Sequence, residues 1–168
     1  MYLRFDQSSI FLHIHTIMLL VKNNGSDILD ETSGCACLNL RGAARAVTQF
    51  YDEILKPSGL KATQFSVLAT VASVGPASMT TISSALVMDR TTLTRNLIPL
   101  RDRGLVKEMT NSEDRRQRRI SLTRAGKAAL SKALPLWKIA QNQVITGIGP
   151  ARWQGMLRLL DETILLSE

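Results

Sequence analysis

The sequence predicts a mainly α-helical chain that carries one small β-hairpin. Three observations lead there. The apolar residues are mostly Leu, Ala, Ile and Val, and aromatics are only 5%, which favours helices over a large sheet. Long stretches repeat apolar residues at helical spacing. Late in the chain, two short strand-like runs flank a charged turn.

The first long helix is expected from Leu38 to Leu55, with Leu40, Ala43, Ala44, Val47, Tyr51, Ile54 and Leu55 recurring at helical spacing. Lys56-Pro57-Ser58-Gly59 stops it. A second helix is expected over Thr63–Val74, with Phe65, Leu68, Ala69 and Ala72 on one face, before Gly75-Pro76 ends it. Thr80 or Thr81 opens a short third helix reaching Val87. Asp89 caps a fourth by accepting from the amide of Thr91 or Thr92.

That fourth helix runs from Arg90 to about Arg103, with Leu93, Leu97 and Leu100 as its buried stripe. Thr91, Thr92 and Arg95 point away from the stripe, Pro99 removes one backbone bond, and Gly104 suits the position after the helix. Leu105–Thr110 and Arg119–Leu122 read as a hairpin around residues 111–118. Thr123 caps a long helix with Leu130, Leu134, Trp137, Gln141, Val144 and Ile148 on one side. Trp153, Met156, Leu157, Leu160 and Ile164 mark a last helix after Gly149-Pro150, and the two tryptophans read as core or interface residues.

Residues 1–34 read as an N-terminal extension and linker. The apolar run from Ile10 to Val21 is twelve residues long, short of the roughly 20 that a membrane span needs. Met18 is an alternative start, which would make residues 1–17 an upstream artefact. Two cysteines, Cys35 and Cys37, are too few for a secreted disulfide framework, so a reducing cytoplasm is expected.

Charge supplies the functional signal. The 168 residues carry a net +7, and Asp89–Lys127 alone holds eleven Lys/Arg against five Asp/Glu. Almost the whole excess is focused in under a quarter of the chain, which points to a polyanion partner rather than to diffuse solvation. A capped helix followed by a hairpin is the order of a winged helix-turn-helix. The major groove of DNA admits one helix. Short threonines and a long arginine on its exposed face suit base edges and phosphates. Arg115, Arg116 and Arg118 on a projecting tip suit the narrow minor groove.

The stretch from Asp89 through Thr94-Arg95-Asn96-Leu97 to Gly104-Leu105-Val106 resembles the MarR family of winged helix-turn-helix transcription regulators. Asp114-Arg115-Arg116 and Leu122-Thr123-Arg124-Ala125-Gly126 match that family's wing and its entry to the following helix. The resemblance covers about Leu38 to Leu166. It implies a MarR-type domain over residues 35–166, with the winged helix at 60–123 and dimerisation helices at 38–56 and 124–166. It implies a cytoplasmic repressor that binds a pseudo-palindromic operator on double-stranded DNA as a homodimer, released by a small-molecule effector or by thiol oxidation. Arg90, Thr91, Thr92, Thr94 and Arg95 would face the major groove, Arg116 would reach the minor groove between Arg115 and Arg118, and Asp114 would orient a neighbouring arginine.

Cys37 sits where family members that sense organic hydroperoxides carry a reactive thiol. Arg45 and Tyr51 match that pattern, whereas Arg41 and Ala62 stand where two further tyrosines would fall. Cys37, or Cys35, is therefore a candidate redox sensor, against the alternative of inert packing. His13, His15, Cys35 and Cys37 have zinc-compatible chemistry but no known finger spacing. No cofactor, metal or membrane partner is expected. No motif of nucleophilic, phosphate-binding or metal-dependent catalysis is found, so an enzyme is not expected.

Overall fold

The computed structural model describes residues 32–110 and 118–166. The chain divides into two units, Met1–Arg45 and Ala46–Glu168. Helix α1 is Ala36–Leu55, two residues longer at its start than the periodicity suggests. A 3-10 turn at Lys56–Ser58 ends it. Buried Ser58 closes this corner: its hydroxyl donates to the Leu55 carbonyl at 2.6 Å and accepts from the Leu60 amide at 3.2 Å.

Helix α2 spans Ala62–Val74, and Asp52 accepts from its first amide at 2.6 Å. Its buried residues are Phe65, Val67, Leu68 and Val71. Ala72, expected on the inner face, is exposed. The cause is that α2 is packed on several sides, so no single apolar stripe describes it. Strand β1, Ala77–Ser78, is a third strand that the sequence did not signal. Two residues are too short to show alternation.

Helix α3 is Met79–Ala85, capped by Ser78 rather than opened at Thr80 or Thr81; the Ser78 hydroxyl accepts from the Thr81 amide. Helix α4 is Arg90–Asp102 and continues through Pro99. Strands β2 (Val106–Thr110) and β3 (Arg118–Leu122) complete a sheet of order β1-β3-β2, antiparallel throughout. Helix α5 is Arg124–Ile148 and α6 is Pro150–Leu165.

The core is formed where α2, α4 and the sheet meet. Leu55, Leu68, Ile82, Leu93 and Leu100 are its largest fully buried side chains. Burying each such residue contributes about 1.5–3 kcal/mol. Helix α5 joins this core through Leu130, Trp137 and Val144, as expected, and also buries Gly126, Ala133 and Ala140, spaced seven apart, which the sequence reading does not single out. Leu134 is exposed. Small residues let the helix come close. Trp137 is half-buried and stacks on Phe65, with ring centroids 5.8 Å apart.

Candidate nucleic-acid interface

Helix α4 is held from both ends. Asp89 accepts from the Thr92 amide at 2.8 Å and from the Thr92 hydroxyl at 2.6 Å. These two bonds, the hydroxyl's first, hold the Asp89 carboxyl below its usual range. At the other end, the Leu105 amide donates to Leu100 and the Gly104 amide to Arg101, each at 2.8 Å, while Gly104 adopts φ +65°. This is the Schellman closure, in which the left-handed residue is most easily glycine.

Between these ends Leu93, Leu97 and Leu100 face the core, as expected. Arg90, Thr91, Thr92, Thr94 and Arg95 are all exposed. The Thr92 hydroxyl proton is committed to Asp89, so Thr92 can offer a ligand only its lone pairs. The Thr94 hydroxyl donates to the Arg90 carbonyl at 2.8 Å, with the same consequence. Among the described residues Arg90 and Arg95 form no ion pair, which leaves their charge for an incoming anion.

A groove of about 560 Å³ lies between α4 and the hairpin. Arg90, Thr94 and Arg101 line one wall, and Lys107, Glu108 and Arg118 line the other. Buried Leu97, Val106 and Ile120 lie between these walls. The helix and the wing therefore share one basic surface. Arg118 pairs with Thr110 at the tip-side end of the described hairpin. Asp114, Arg115 and Arg116 lie outside the described residues.

Sequence reasoning missed Glu108. Its carboxylate accepts from Arg118 Nη1 at 2.8 Å and from Arg101 Nη1 at 3.4 Å. The Arg118 hydrogen bond is the main cause that holds its carboxyl below the usual glutamate range. The hairpin register was the available signal: Glu108 pairs with Ile120, so Arg118, two residues back on β3, is its diagonal neighbour on the same face.

Comparison with known proteins agrees with this fold. The model of the MarR family matches residues 60–117. The transcriptional regulator MosR of Mycobacterium tuberculosis, solved in complex with DNA, is 41% identical, with a TM-score of 0.68 over 79% of this chain and 98% of that one. The chain belongs to the MarR family. The transcriptional repressor CouR, bound to a 23-mer DNA duplex, is 25% identical, with a TM-score of 0.72 over 81% of this chain and 96% of that one. The HTH-type transcriptional regulator YwoH of Bacillus subtilis is 33% identical over 49% of this chain, a match that spans 59% of YwoH's own length. The family and these relatives are transcription regulators.

Against the MarR pattern, the cysteines can be placed. Cys35 precedes α1 and Cys37 lies in its first turn, both free and both exposed. Asn39 fastens the segment, its side-chain amide donating to the Ser33 and Cys35 carbonyls at 2.9 Å each. The Tyr51 hydroxyl donates to Gln141 at 2.6 Å, and burial pushes its titration upward. His13 and His15 lie outside the described residues, among which no three His, Cys, Asp or Glu converge as a metal site. No described helix is long and apolar enough to cross a membrane.

Proposed function

We propose that this chain is a sequence-specific repressor that binds a pseudo-palindromic operator as a homodimer and is released by a small ligand or by thiol oxidation. The observation that carries the reading is the shared groove: the recognition helix and the hairpin present Arg90, Arg101, Lys107 and Arg118 on one surface. Helix α4 enters the major groove, with Thr91 and Arg95 toward base edges. As the family resemblance implies, Arg116 reads the minor groove and Asp114 orients a neighbouring arginine. MosR and CouR, each solved with DNA, support the docking mode. CouR, a repressor by name, supports the sign of regulation.

Dimerisation follows from what one copy leaves uncovered. Helix α6 buries none of its residues fully, and Leu159 and Leu165 are each 64% exposed. A second copy covering these leucines would set two recognition helices about one DNA turn apart. The MarR-type domain then spans 35–166, with the winged helix at 60–123 and dimerisation helices at 38–56 and 124–166, and it works in the cytoplasm.

Release by a ligand is supported by a second cavity of about 460 Å³, where the end of α2, β3 and α5 meet. Lys127 and Ser131 give it polar groups, and Val71, Leu122 and Leu130 give it apolar walls. Its size suits a small organic molecule. Release by oxidation is supported by the exposure of Cys35 and Cys37.

The test is a gel shift on the gene's own upstream region, titrated with salt. A repressor prefers one palindrome over random duplex by about a thousandfold or more. An architectural DNA binder shows no such preference. Arg95→Ala should cost about 1–3 kcal/mol at the operator and relax sequence choice. An unchanged operator preference in Arg95→Ala would remove Arg95 from base reading.

A further inference from the structure

Among the described residues Glu108 is the one acid lining the groove, which four basic residues also line. An acid on a surface that meets a polyanion opposes binding unless it does something else. Its stabilising value is small. The side chains of Glu108, Arg101 and Arg118 are 37%, 56% and 78% exposed, and ion pairs that open to water contribute little to stability. Fold stability therefore gives no strong reason for a carboxylate here.

Position gives one. The face of β2 and β3 that carries Val106 and Ile120 is buried at the wing's root. It becomes charged at Glu108 and Arg118, one step toward the tip. Arg101 reaches the same carboxylate from the last turn of α4. One acid thus engages an arginine from each of the two DNA-facing elements.

We propose that Glu108 is a specificity-determining residue: it holds Arg101 and Arg118 in reserve, and a duplex gains them only where its backbone places a phosphate to take the carboxylate's place. The proposal rests on the DNA-binding reading above. An arginine already neutralised by a carboxylate offers a passing phosphate little, because the counterion release that drives non-specific binding is reduced. A well-fitted operator sets its phosphates at hydrogen-bonding distance and exchanges them for a weak, exposed ion pair at small cost. Random duplex cannot. Glu108 therefore lowers non-specific affinity more than operator affinity, and the difference is selectivity.

The experiment compares the full-length wild type with Glu108→Gln, which keeps the shape and removes the charge. Binding to the operator and to random-sequence duplex is measured from 50 to 200 mM salt. Wild-type binding is the first measurement. If the wild type binds no duplex, the DNA-binding reading fails and this proposal with it. Given wild-type binding, E108Q should tighten on random duplex. The plot of log affinity against log salt should steepen by about 0.9 for each arginine released to a phosphate. Operator affinity should change less, so the specificity ratio should fall. An unchanged slope and ratio would overturn the proposal. The double variant E108Q/R118Q separates release of the arginine from mere loss of negative charge: most of the gain on random duplex should vanish in it. A gain that survives intact would overturn the proposal, since charge alone would then explain it. A melting temperature for E108Q within a few degrees of wild type accompanies the expected result, because the ion pairs are exposed.

Discussion

The turns before and after helix α4 close with similar backbone bonds and opposite surroundings. Before α4, helix α3 ends with Val87 donating to Ser84 at 3.1 Å and Met88 donating to Ser83 at 2.9 Å. After α4, Gly104 and Leu105 repeat that pattern on Arg101 and Leu100. At the second site the left-handed residue is glycine, and Leu105 beside it is buried. At the first it is Val87, at φ +50° and 64% exposed. The C-terminal end is also tied from outside. Arg103 donates to the Gly59 carbonyl at 2.8 Å, and Thr123 donates to the Gly104 carbonyl at 2.6 Å. The N-terminal end has its own cap, Asp89, and little else. On the proposed docking, helix α4 is anchored where it leaves the core and free at the end that would read DNA, since base contacts in helix-turn-helix proteins come from the helix's N-terminal residues.

The anchored end should therefore be the costly one to disturb. Gly126, in the first turn of α5, lies against the backbone of Leu105; a Cβ built there would sit 1.9 Å from the Leu105 carbonyl oxygen. Backbone cannot give way as a flexible side chain can. Gly126→Ala must move α5 off the root of the wing, and overpacking of this kind costs about 3 kcal/mol. Urea unfolding checks it. A loss below about 1 kcal/mol would mean that the junction yields, and the contrast between the two ends would weaken.

That junction also shows what the sequence could and could not disclose. Thr123 as a cap and Leu93, Leu97 and Leu100 as a stripe were legible, because each depends on local spacing alone. The core face of α5 was legible in part: Leu130, Trp137 and Val144 pack on the core as read, while Leu134 is exposed and the small buried residues were not named. Periodicity weighs large residues, whereas close approach selects Gly126, Ala133 and Ala140. The buried set of α2 was misread because Val67 and Val71, one turn apart, form a second buried face beside that of Phe65 and Leu68. The Glu108 bridge needed the strand register, which residue types do not provide. Arg90, Thr94 and Arg118 were named from charge and order, and the fold brings them to one groove.

Thr123→Ala removes one tie at the anchored end without a clash. Its hydroxyl accepts from the Gly126 amide at 3.0 Å while donating to Gly104. Both the cap of α5 and the tie to the loop after α4 are lost together. The expected loss is about 1–2 kcal/mol, the upper part of the range for an N-cap, because two bonds depend on one hydroxyl. Serine in its place should recover most of that loss. If Thr123→Ser falls as far as alanine, the methyl group rather than the hydroxyl supplies the stabilisation.

The presented end should respond in the opposite direction. Val87 holds a left-handed conformation that costs an L-residue about 1–2 kcal/mol and is worst for β-branched side chains. Its side chain is exposed, so replacing it forfeits little packing. Asparagine tolerates the left-handed region and keeps the Val87 amide bond to Ser84. Val87→Asn should stabilise the fold by about 0.5–1 kcal/mol, a rise in melting temperature of about 2 °C for a chain of this size. Operator affinity decides how the strain is used. If it is only tolerated, V87N binds as the wild type does. If it aims the first turn of α4, V87N melts higher and binds more weakly. A lower melting temperature would contradict the strain argument itself and show that the exposed valine has a contact that outweighs its backbone.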